Sequence, residues 1–166
     1  DSAQRRSGLV EALKHGVLAD PDLIDLIAQN AEQLLAGAPE AFTPILQRAV
    51  KVKATIVAED EREQGRRAVL NLGHTLGHAF EAEGGFGHLS HGDAVGLGLR
   101  FALSLSMTRL HLPQRQIDRV IHALDALGVP SDWADRVTDS VLSRIDLDKK
   151  NQGDTVRVIG LRALGD

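Results

Sequence analysis

The sequence predicts a mainly α-helical domain, a multi-helix array with a short C-terminal β element. Aromatic residues make up only 3% of the 166 residues. The core must therefore be built from Leu, Val, Ile and Ala, which favours packed helices over a sandwich of aromatic-rich strands. Apolar residues recur at helical spacing along most of the chain, whereas TVRVIGL near the C-terminus alternates like a strand.

Three helices are predicted in the first part of the chain. Residues 3–18 carry apolar side chains at helical spacing among charged ones. Asp20 is placed to cap a second helix with Pro21 at its first position, and Gly37 closes it. A third helix is expected over 40–58, where Ile, Leu, Ala and Val recur at near-helical spacing.

Four more helices are predicted after an acidic connector. Their expected spans are about Arg66 to Glu83, Ser90 or His91 to about His111, Pro113 to the break at Gly128 and Pro130, and Ser131 to about Ile145. Gly92, Gly96 and Gly98 are poor helix formers, so they predict that their helix lies close against another backbone. DKKNQGD then reads as a turn before the alternating segment.

Composition excludes several classes of protein. The chain has no cysteine, so any metal must be held by His and carboxylate side chains. A net charge of -4 argues against a general nucleic-acid binder. No apolar run approaches the roughly 20 residues that span a bilayer. These features fit a cytoplasmic protein, and the start at Asp1 leads us to expect a piece of a longer one.

The stretch 63–93 holds the strongest indication of a functional site. Arg67, Asn71, His74 and His78 follow one another at steps of four, three and four, so a continuous helix would place them on one stripe. Two histidines one turn apart are a common zinc-chelating pair, although they also occur as ordinary surface or core residues. The neighbouring polar groups, and a third histidine at position 91, favour a site.

A catalytic zinc needs three protein ligands, and the third should be a carboxylate. Spacing alone leaves five candidates open: Glu11, Glu59, Glu63, Glu81 and Asp93. Lys14 lies three residues after Glu11, and spacing alone favours an ordinary solvated ion pair there. Three basic pairs could together clamp a phosphate and a carboxylate, namely Arg66-Arg67, Lys51/Lys53 and Lys149-Lys150.

Two segments, RRAVLNLGHTLGHAFE and LSHGDAVGLGL, closely resemble the signature of the 3-dehydroquinate synthase family. SGLVEALKHGVLAD, KATIVAEDEREQGRR and DKKNQGDTVRVIGLRALGD resemble further segments of its C-terminal half, in the same order. The resemblance implies that residues 1–166 form that family's C-terminal metal- and substrate-binding α-helical domain. It also implies that the family's N-terminal Rossmann-like domain, which binds NAD, is absent from this chain.

Site residues follow from the resemblance position by position. It implies that Glu11, His74 and His91 bind a divalent metal, Zn²⁺ or Co²⁺, and that His78 faces substrate, which corrects the simple two-histidine pair. Positions that match substrate contacts are Lys14, Lys53, Glu63, Arg67, Asn71, His78 and one of Lys149 and Lys150; of these, Lys14, Arg67, Asn71 and His78 match the catalytic group. His15 stands where the family usually has Tyr, and a role behind the ligands, or none, is expected for it.

The family is a lyase of the shikimate pathway, which leads to chorismate and the aromatic amino acids. It converts a phosphorylated sugar acid, 3-deoxy-D-arabino-heptulosonate 7-phosphate, into 3-dehydroquinate and phosphate. Transient oxidation by NAD, phosphate elimination, reduction and aldol closure follow one another. The resemblance implies a cytoplasmic homodimer when the protein is full length, whose partner here would be its own N-terminal domain. This chain alone is expected to be inactive.

Three alternatives stay open. Other sugar-phosphate cyclases, such as 2-deoxy-scyllo-inosose synthase, share the scaffold and the metal ligands. Metal-dependent alcohol and glycerol dehydrogenases also have HxxxH and a later His-Gly, but they would place an Asp followed by a His where this chain has Glu11 and Lys14. A metal-binding or interaction module without catalysis is the alternative outside the enzymes.

Overall fold

A computed structural model describes residues 1–62, 65–83, 89–151 and 156–166, with the backbone alone for 146–151. Helices account for most of these residues, as predicted. The α-helices within these ranges are α1 (Ser2–Ala19), α2 (Pro21–Gln29), α3 (Ala31–Ala36), α4 (Pro39–Glu59), α5 (His74–Glu83), α6 (His91–Leu110), α7 (Gln114–Ala126) and α8 (Asp139–Asn151), and a 3₁₀ helix, Arg66–Asn71, precedes α5.

The helices pack around α1 and α6. Helix α6 contacts α1, α5 and α7, while α1 also contacts α2 and α4. From Leu9 to Leu18, α1 is buried around nearly its whole circumference except at Glu11, and a helix surrounded in this way becomes a core element even where it carries polar side chains. A second apolar cluster joins α5, α6 and α8, with the Phe101 and Trp133 rings 5.6 Å apart at its edge.

The predicted central helix is wrong as one continuous element. The chain forms the 3₁₀ helix, turns at Gly73 with a φ of +79°, and only then begins α5. The cause is close contact with α6: a Cβ atom on Gly98 would lie 1.8 Å from the Gly73 carbonyl oxygen. The two backbones touch here, so the path of the chain is set by packing on α6.

Three smaller expectations also need correction. The predicted second helix breaks at Asn30 into α2 and α3. The Asn30 side-chain amide donates a 2.8 Å hydrogen bond back to the Leu26 carbonyl oxygen in α2. The last helix begins at Asp139 rather than after Ser131, and it continues through Asp148 to Asn151, where a turn was predicted.

The short C-terminal β element does not appear in the part of the chain that the structure describes. Residues 156–161 form neither helix nor strand. A strand needs a partner for its backbone N–H and C=O groups, and the described residues offer it no neighbouring strand. No helix in the described ranges is long and apolar enough to cross a membrane.

Candidate metal centre

Helix α1 places a carboxylate and a lysine side by side in the interior. Lys14 is 3% exposed, and its Nζ donates a 2.7 Å hydrogen bond to Oε2 of Glu11. This pair was predicted from spacing to be a solvated ion pair, but the packing of α1 buries the lysine. Because Oε2 is held by Lys14, the other oxygen, Oε1, is the one left to face the site.

His91 begins α6 and is carried to Glu11 by the contact between α6 and α1. The Ser90 side chain caps this helix by accepting a 3.1 Å hydrogen bond from the Asp93 N–H. Arg6 of α1 holds the Asp93 carboxylate with two hydrogen bonds of 2.8 and 2.9 Å. Gly92 allows this approach, since a Cβ atom there would lie 2.2 Å from Cα of Ser7.

His74 is the first residue of α5 and is fixed by the turn before it. Its Nδ1 lies 3.2 Å from the Leu72 carbonyl oxygen. In His91, Nδ1 lies 3.0 Å from Oε1 of Glu81, on the last turns of α5. Both rings therefore have an acceptor at Nδ1, which orients the opposite nitrogen, Nε2, away from it.

Glu11, His74 and His91, here called the metal triad, converge on one point. Oε1 of Glu11 lies 3.4 Å from Nε2 of His74 and 3.4 Å from Nε2 of His91. One ligand atom from each of the three residues lies within 4.8 Å of the others. Tetrahedral zinc ligands at about 2.0–2.1 Å from the ion are about 3.4 Å apart, so the spacing suits zinc.

The burial of the carboxylate oxygen supports the same conclusion. Oε1 of Glu11 is buried and has no hydrogen-bond partner. A buried carboxylate oxygen without a partner is costly, and a bound cation would remove that cost. The residues present therefore fit a divalent metal with two imidazoles and one carboxylate, which leaves a fourth position open.

Electrostatics keep the carboxylate charged. Burial alone raises the pKa of Glu11, but the contacts with His74 and Lys14 lower it more, so that the net pKa lies well below its ordinary value. Burial is also the main cause that lowers the pKa of Lys14, against the attraction of Glu11. An ionised carboxylate and neutral imidazoles are the forms that bind metal.

A cavity of about 420 Å³ opens beside the metal triad. Its basic groups outnumber its single carboxylate, which suits an anionic ligand. The lining residues are Glu11, Lys14, His15, Lys53, Arg67, Leu70, Asn71, His74 and His91.

Arg67 and Asn71 reach this cavity from the 3₁₀ helix rather than from the helix that carries His74. The Asp60 carboxylate accepts backbone hydrogen bonds from Gly65 (2.8 Å) and Arg67 (3.0 Å), which anchors the start of this segment. The Arg67 guanidinium also donates a 2.9 Å hydrogen bond to the Glu61 carbonyl. One continuous helical stripe was predicted to bring Arg67, Asn71 and His74 together. The three residues do line one cavity, but they lie on two helices joined by the turn at Gly73.

The other candidate carboxylates have partners of their own. Glu59 pairs with Arg66 at 2.9 Å, Asp93 pairs with Arg6, and Glu81 contacts the far side of His91. Glu63 lies outside the described residues, as do the side chains of Lys149 and Lys150.

The positions of two histidines relative to the cavity, His78 and His15, differ from those expected from the sequence. His78 is exposed, and among the described residues it is not one that lines the cavity; its ring packs edge-to-face on His74, with centroids 5.3 Å apart. His15 does line the cavity although it is only 7% exposed. The sequence signal for His15 was its position one turn after Glu11 on a helix that is buried nearly all round.

Comparison with known proteins decides the family. The sequence model of the family described as 3-dehydroquinate synthase C-terminal matches residues 8–151, a range that includes the whole metal triad. The chain belongs to the 3-dehydroquinate synthase C-terminal family. The resemblance stated from the sequence is thereby confirmed.

The curated relatives that the chain matches include two 3-dehydroquinate synthases. The chain is 39% identical over 160 residues to 3-dehydroquinate synthase of Acidithiobacillus ferrooxidans, which covers 96% of the chain and 44% of the relative. It is 38% identical over 166 residues to 3-dehydroquinate synthase of Nitrosococcus oceani, which covers 99% of the chain and 46% of the relative. The chain thus spans less than half the length of these relatives.

Two solved structures share the fold. One is ValA, 2-epi-5-epi-valiolone synthase from Streptomyces hygroscopicus with NAD+ and Zn2+ bound (TM-score 0.85, 24% identity, 100% of this chain and 46% of that chain). The other is 2-deoxy-scyllo-inosose synthase complexed with carbaglucose-6-phosphate, NAD+ and Co2+ (TM-score 0.82, 20% identity, 100% and 47%). At these identities the likeness establishes the helical fold alone.

Proposed function

We propose that this chain is the C-terminal metal- and substrate-binding domain of a 3-dehydroquinate synthase. The complete enzyme would convert 3-deoxy-D-arabino-heptulosonate 7-phosphate into 3-dehydroquinate and phosphate. The observation that carries the proposal is the convergence of the metal triad beside a cavity lined by lysine and arginine. Family membership and the names of the relatives point to the same reaction.

The metal triad would hold Zn²⁺ or Co²⁺, the ions named for the two structures of the same fold. A divalent ion there supplies Lewis-acid polarisation of a substrate oxygen. Lys14 holds Oε2 of Glu11, and the Leu72 carbonyl and Glu81 hold the two imidazoles, so the ligands are oriented in advance.

Lys14, Lys53 and Arg67 are proposed to bind the two anionic groups of the substrate. Arg67 can present a planar fork to a phosphate or carboxylate, while the lysines supply compact charges. Asn71 adds an amide that can hydrogen-bond a hydroxyl or carbonyl oxygen. Together they would fix the orientation that elimination and ring closure require. For His78, Glu63, Lys149 and Lys150, a substrate role stays a prediction of the family resemblance.

A second domain is proposed to complete the enzyme. The relatives are more than twice as long as the matched region, and the reaction needs NAD, which we assign to an N-terminal NAD-binding domain outside residues 1–166. The complete protein is proposed to be a cytoplasmic homodimer. Without the NAD-binding domain the chain alone should show no turnover.

A chimera tests this function directly. The chain would replace the matching C-terminal part of the Nitrosococcus oceani relative, and phosphate release would be measured with NAD⁺ and zinc. We expect release from 3-deoxy-D-arabino-heptulosonate 7-phosphate, loss of at least about 100-fold in the Lys14→Ala chimera, and none from the isolated chain. A folded chimera that binds zinc and NAD⁺ but releases phosphate only from a sugar phosphate without a carboxylate would contradict the proposed substrate.

A further inference from the structure

Glu81 contacts one residue of the metal triad, His91, but does not itself belong to the triad. Its Oε1 lies 3.0 Å from Nδ1 of His91, the ring nitrogen that faces away from Glu11. The contact lies at the surface, with the Glu81 side chain 31% exposed and the His91 side chain 45% exposed. The nitrogen that would bind a metal, Nε2 of His91, is turned to the opposite side, 3.4 Å from Glu11.

This contact bridges two elements at the metal site. Glu81 lies near the end of α5, and His91 is the first residue of α6. The contact therefore ties the start of α6 to α5 at the metal ligand itself. In His74 the corresponding nitrogen faces a neutral backbone carbonyl at 3.2 Å. Among the described residues, His91 is therefore the imidazole of the metal triad that faces a second carboxylate through Nδ1.

The chemistry of the imidazole gives this contact a consequence. An ionised carboxylate can only accept a hydrogen bond, and the Glu81 contact at Nδ1 (3.0 Å) is shorter than the Glu11 contact at Nε2 (3.4 Å), which favours the proton of neutral His91 on Nδ1. Nε2 is then left with its lone pair directed toward the metal point. A negative charge behind the ring also strengthens the imidazole as a ligand.

We propose that Glu81 is a positioning residue of the metal centre, which fixes the tautomer and orientation of His91 for metal binding. The inference rests on the metal centre proposed above. It assigns Glu81 a role through His91, in place of the direct ligand role that spacing alone had left open.

The test is a zinc titration of the purified chain, paired with NMR of its histidine nitrogens without metal. Wild-type His91 should carry its proton on Nδ1. In Glu81→Ala the proton should move to Nε2, the form preferred in water, and zinc affinity should fall about 10- to 100-fold. Glu81→Gln keeps an acceptor without the charge, so it should retain the Nδ1 proton and lose less affinity than Glu81→Ala.

Glu83→Gln is the matched control. It removes the same charge two residues away on α5, where the carboxylate contacts Ser140 and Arg144 instead, and zinc affinity should stay within about twofold of wild type. An Nε2 proton on His91 in the wild-type chain would overturn the inference even if no variant folded. So would wild-type zinc affinity in a folded Glu81→Ala chain.

Glu11→Ala separates this inference from the metal centre. If Glu11→Ala loses zinc while Glu81→Ala keeps it, the metal triad stands and the role of Glu81 is wrong. If Glu11→Ala also binds zinc like wild type, the metal centre itself is wrong, and the inference about Glu81 falls with it.

Discussion

His15 is a neutral imidazole held inside the protein next to the cations of the site. Burial is the main cause that lowers its pKa from the ordinary value of 6.5 to about 4, and the charge of Lys14 lowers it further. Its Nδ1 is buried without a hydrogen-bond partner. The folded chain therefore resists protonation of a group that the unfolded chain protonates readily.

The unfolding free energy of the metal-free chain should consequently fall as the pH drops from about 6.5 to about 4. In this pH window the unfolded state binds more protons than the folded state, so protonation of His15 favours unfolding. This destabilisation is absent above about pH 6.5 and is complete near pH 4. One proton gives a slope of at most about 1.4 kcal/mol per pH unit. Urea unfolding with a chelator present measures it, and His15→Gln should flatten the profile.

Above pH 4.5, the titration of Glu11 does not change the unfolding free energy in the same way. Its folded pKa is also lowered, so its contribution is lost only as the pH falls below the ordinary value of 4.5. The matched control is His122→Gln, which removes an exposed imidazole from α7. A profile in His15→Gln as steep as in wild type between pH 6.5 and 4.5 would show that His15 is not the group responsible.

Spacing could indicate residue types for the site, but it could not choose the carboxylate. The spacing of His74 and His78, with His91 nearby, pointed to a metal, whereas five acidic residues fitted equally well as the carboxylate ligand. The choice depends on the contact of α1 with the first turn of α6, 80 residues apart in the chain, which local periodicity does not report. Only the family resemblance identified Glu11, and the structure brings it to both histidines.

Among the elements, the junction between the 3₁₀ helix and α5 controls where His74 lies. Gly73 adopts a left-handed φ, and Gly98 of α6 lies directly against its carbonyl oxygen. The approach leaves no room for a side chain at either position. His74 follows Gly73 immediately, so a shift of this junction would move a ligand of the metal triad.

Gly98→Ala should therefore destabilise the chain by about 3 kcal/mol, at the upper end of ordinary overpacking. The new Cβ would meet backbone, 1.8 Å from the Gly73 carbonyl oxygen, and backbone yields less easily than a side chain. Zinc affinity should fall as well because His74 is displaced. Urea unfolding and zinc titration measure the two effects.

Gly8→Ala is the control for the change of glycine to alanine in a helix. A Cβ atom at Gly8 in α1 would have nothing within 4 Å, so helix propensity alone should stabilise the chain by about 0.5–1 kcal/mol. If Gly98→Ala were as stable as wild type, the backbones at Gly73 and Gly98 would not be in close contact.

Helix positions were predictable from periodicity, capping residues and proline, but the breaks within them were not. Helices α6 and α7 begin and end close to the expected residues because Ser90, Pro113 and Gly128 mark their ends in the sequence. The break at Gly73 carries a glycine as its local signal, yet glycines inside the same stretch, such as Gly77, remain helical. Both glycines lie against α6, but only Gly73 has a left-handed φ, so neither the residue type nor the nearness of α6 marks in advance where the helix breaks.

At the scale of the whole molecule, the metal triad joins the first helix to two consecutive helices much later in the chain. Glu11 comes from α1, His74 from α5 and His91 from α6. Both helices around which the fold is packed, α1 and α6, therefore contribute a ligand. Without a metal, their meeting point holds a buried carboxylate oxygen that lacks a hydrogen-bond partner.

Zinc should accordingly stabilise the folded chain as one unit. A ligand that binds only the folded state adds about 2.7 kcal/mol at 100 times its Kd, which corresponds to a rise in Tm of roughly 5–10 °C for a chain of this size. Thermal unfolding, followed by circular dichroism with chelator or with zinc, measures the rise. Glu11→Ala, His74→Ala and His91→Ala should each abolish most of it, because each removes one of three ligands.

His78→Ala is the decisive comparison, because it removes an imidazole one turn away on α5. His78 contacts the ring of His74 but lies outside the metal triad, so its loss should leave the zinc-dependent rise in Tm within about 2 °C of wild type. If His78→Ala abolished the rise while His91→Ala kept it, the metal would be held by the helical pair His74 and His78. The three-helix centre would then be wrong, and zinc would stabilise α5 locally rather than join it to α1 and α6.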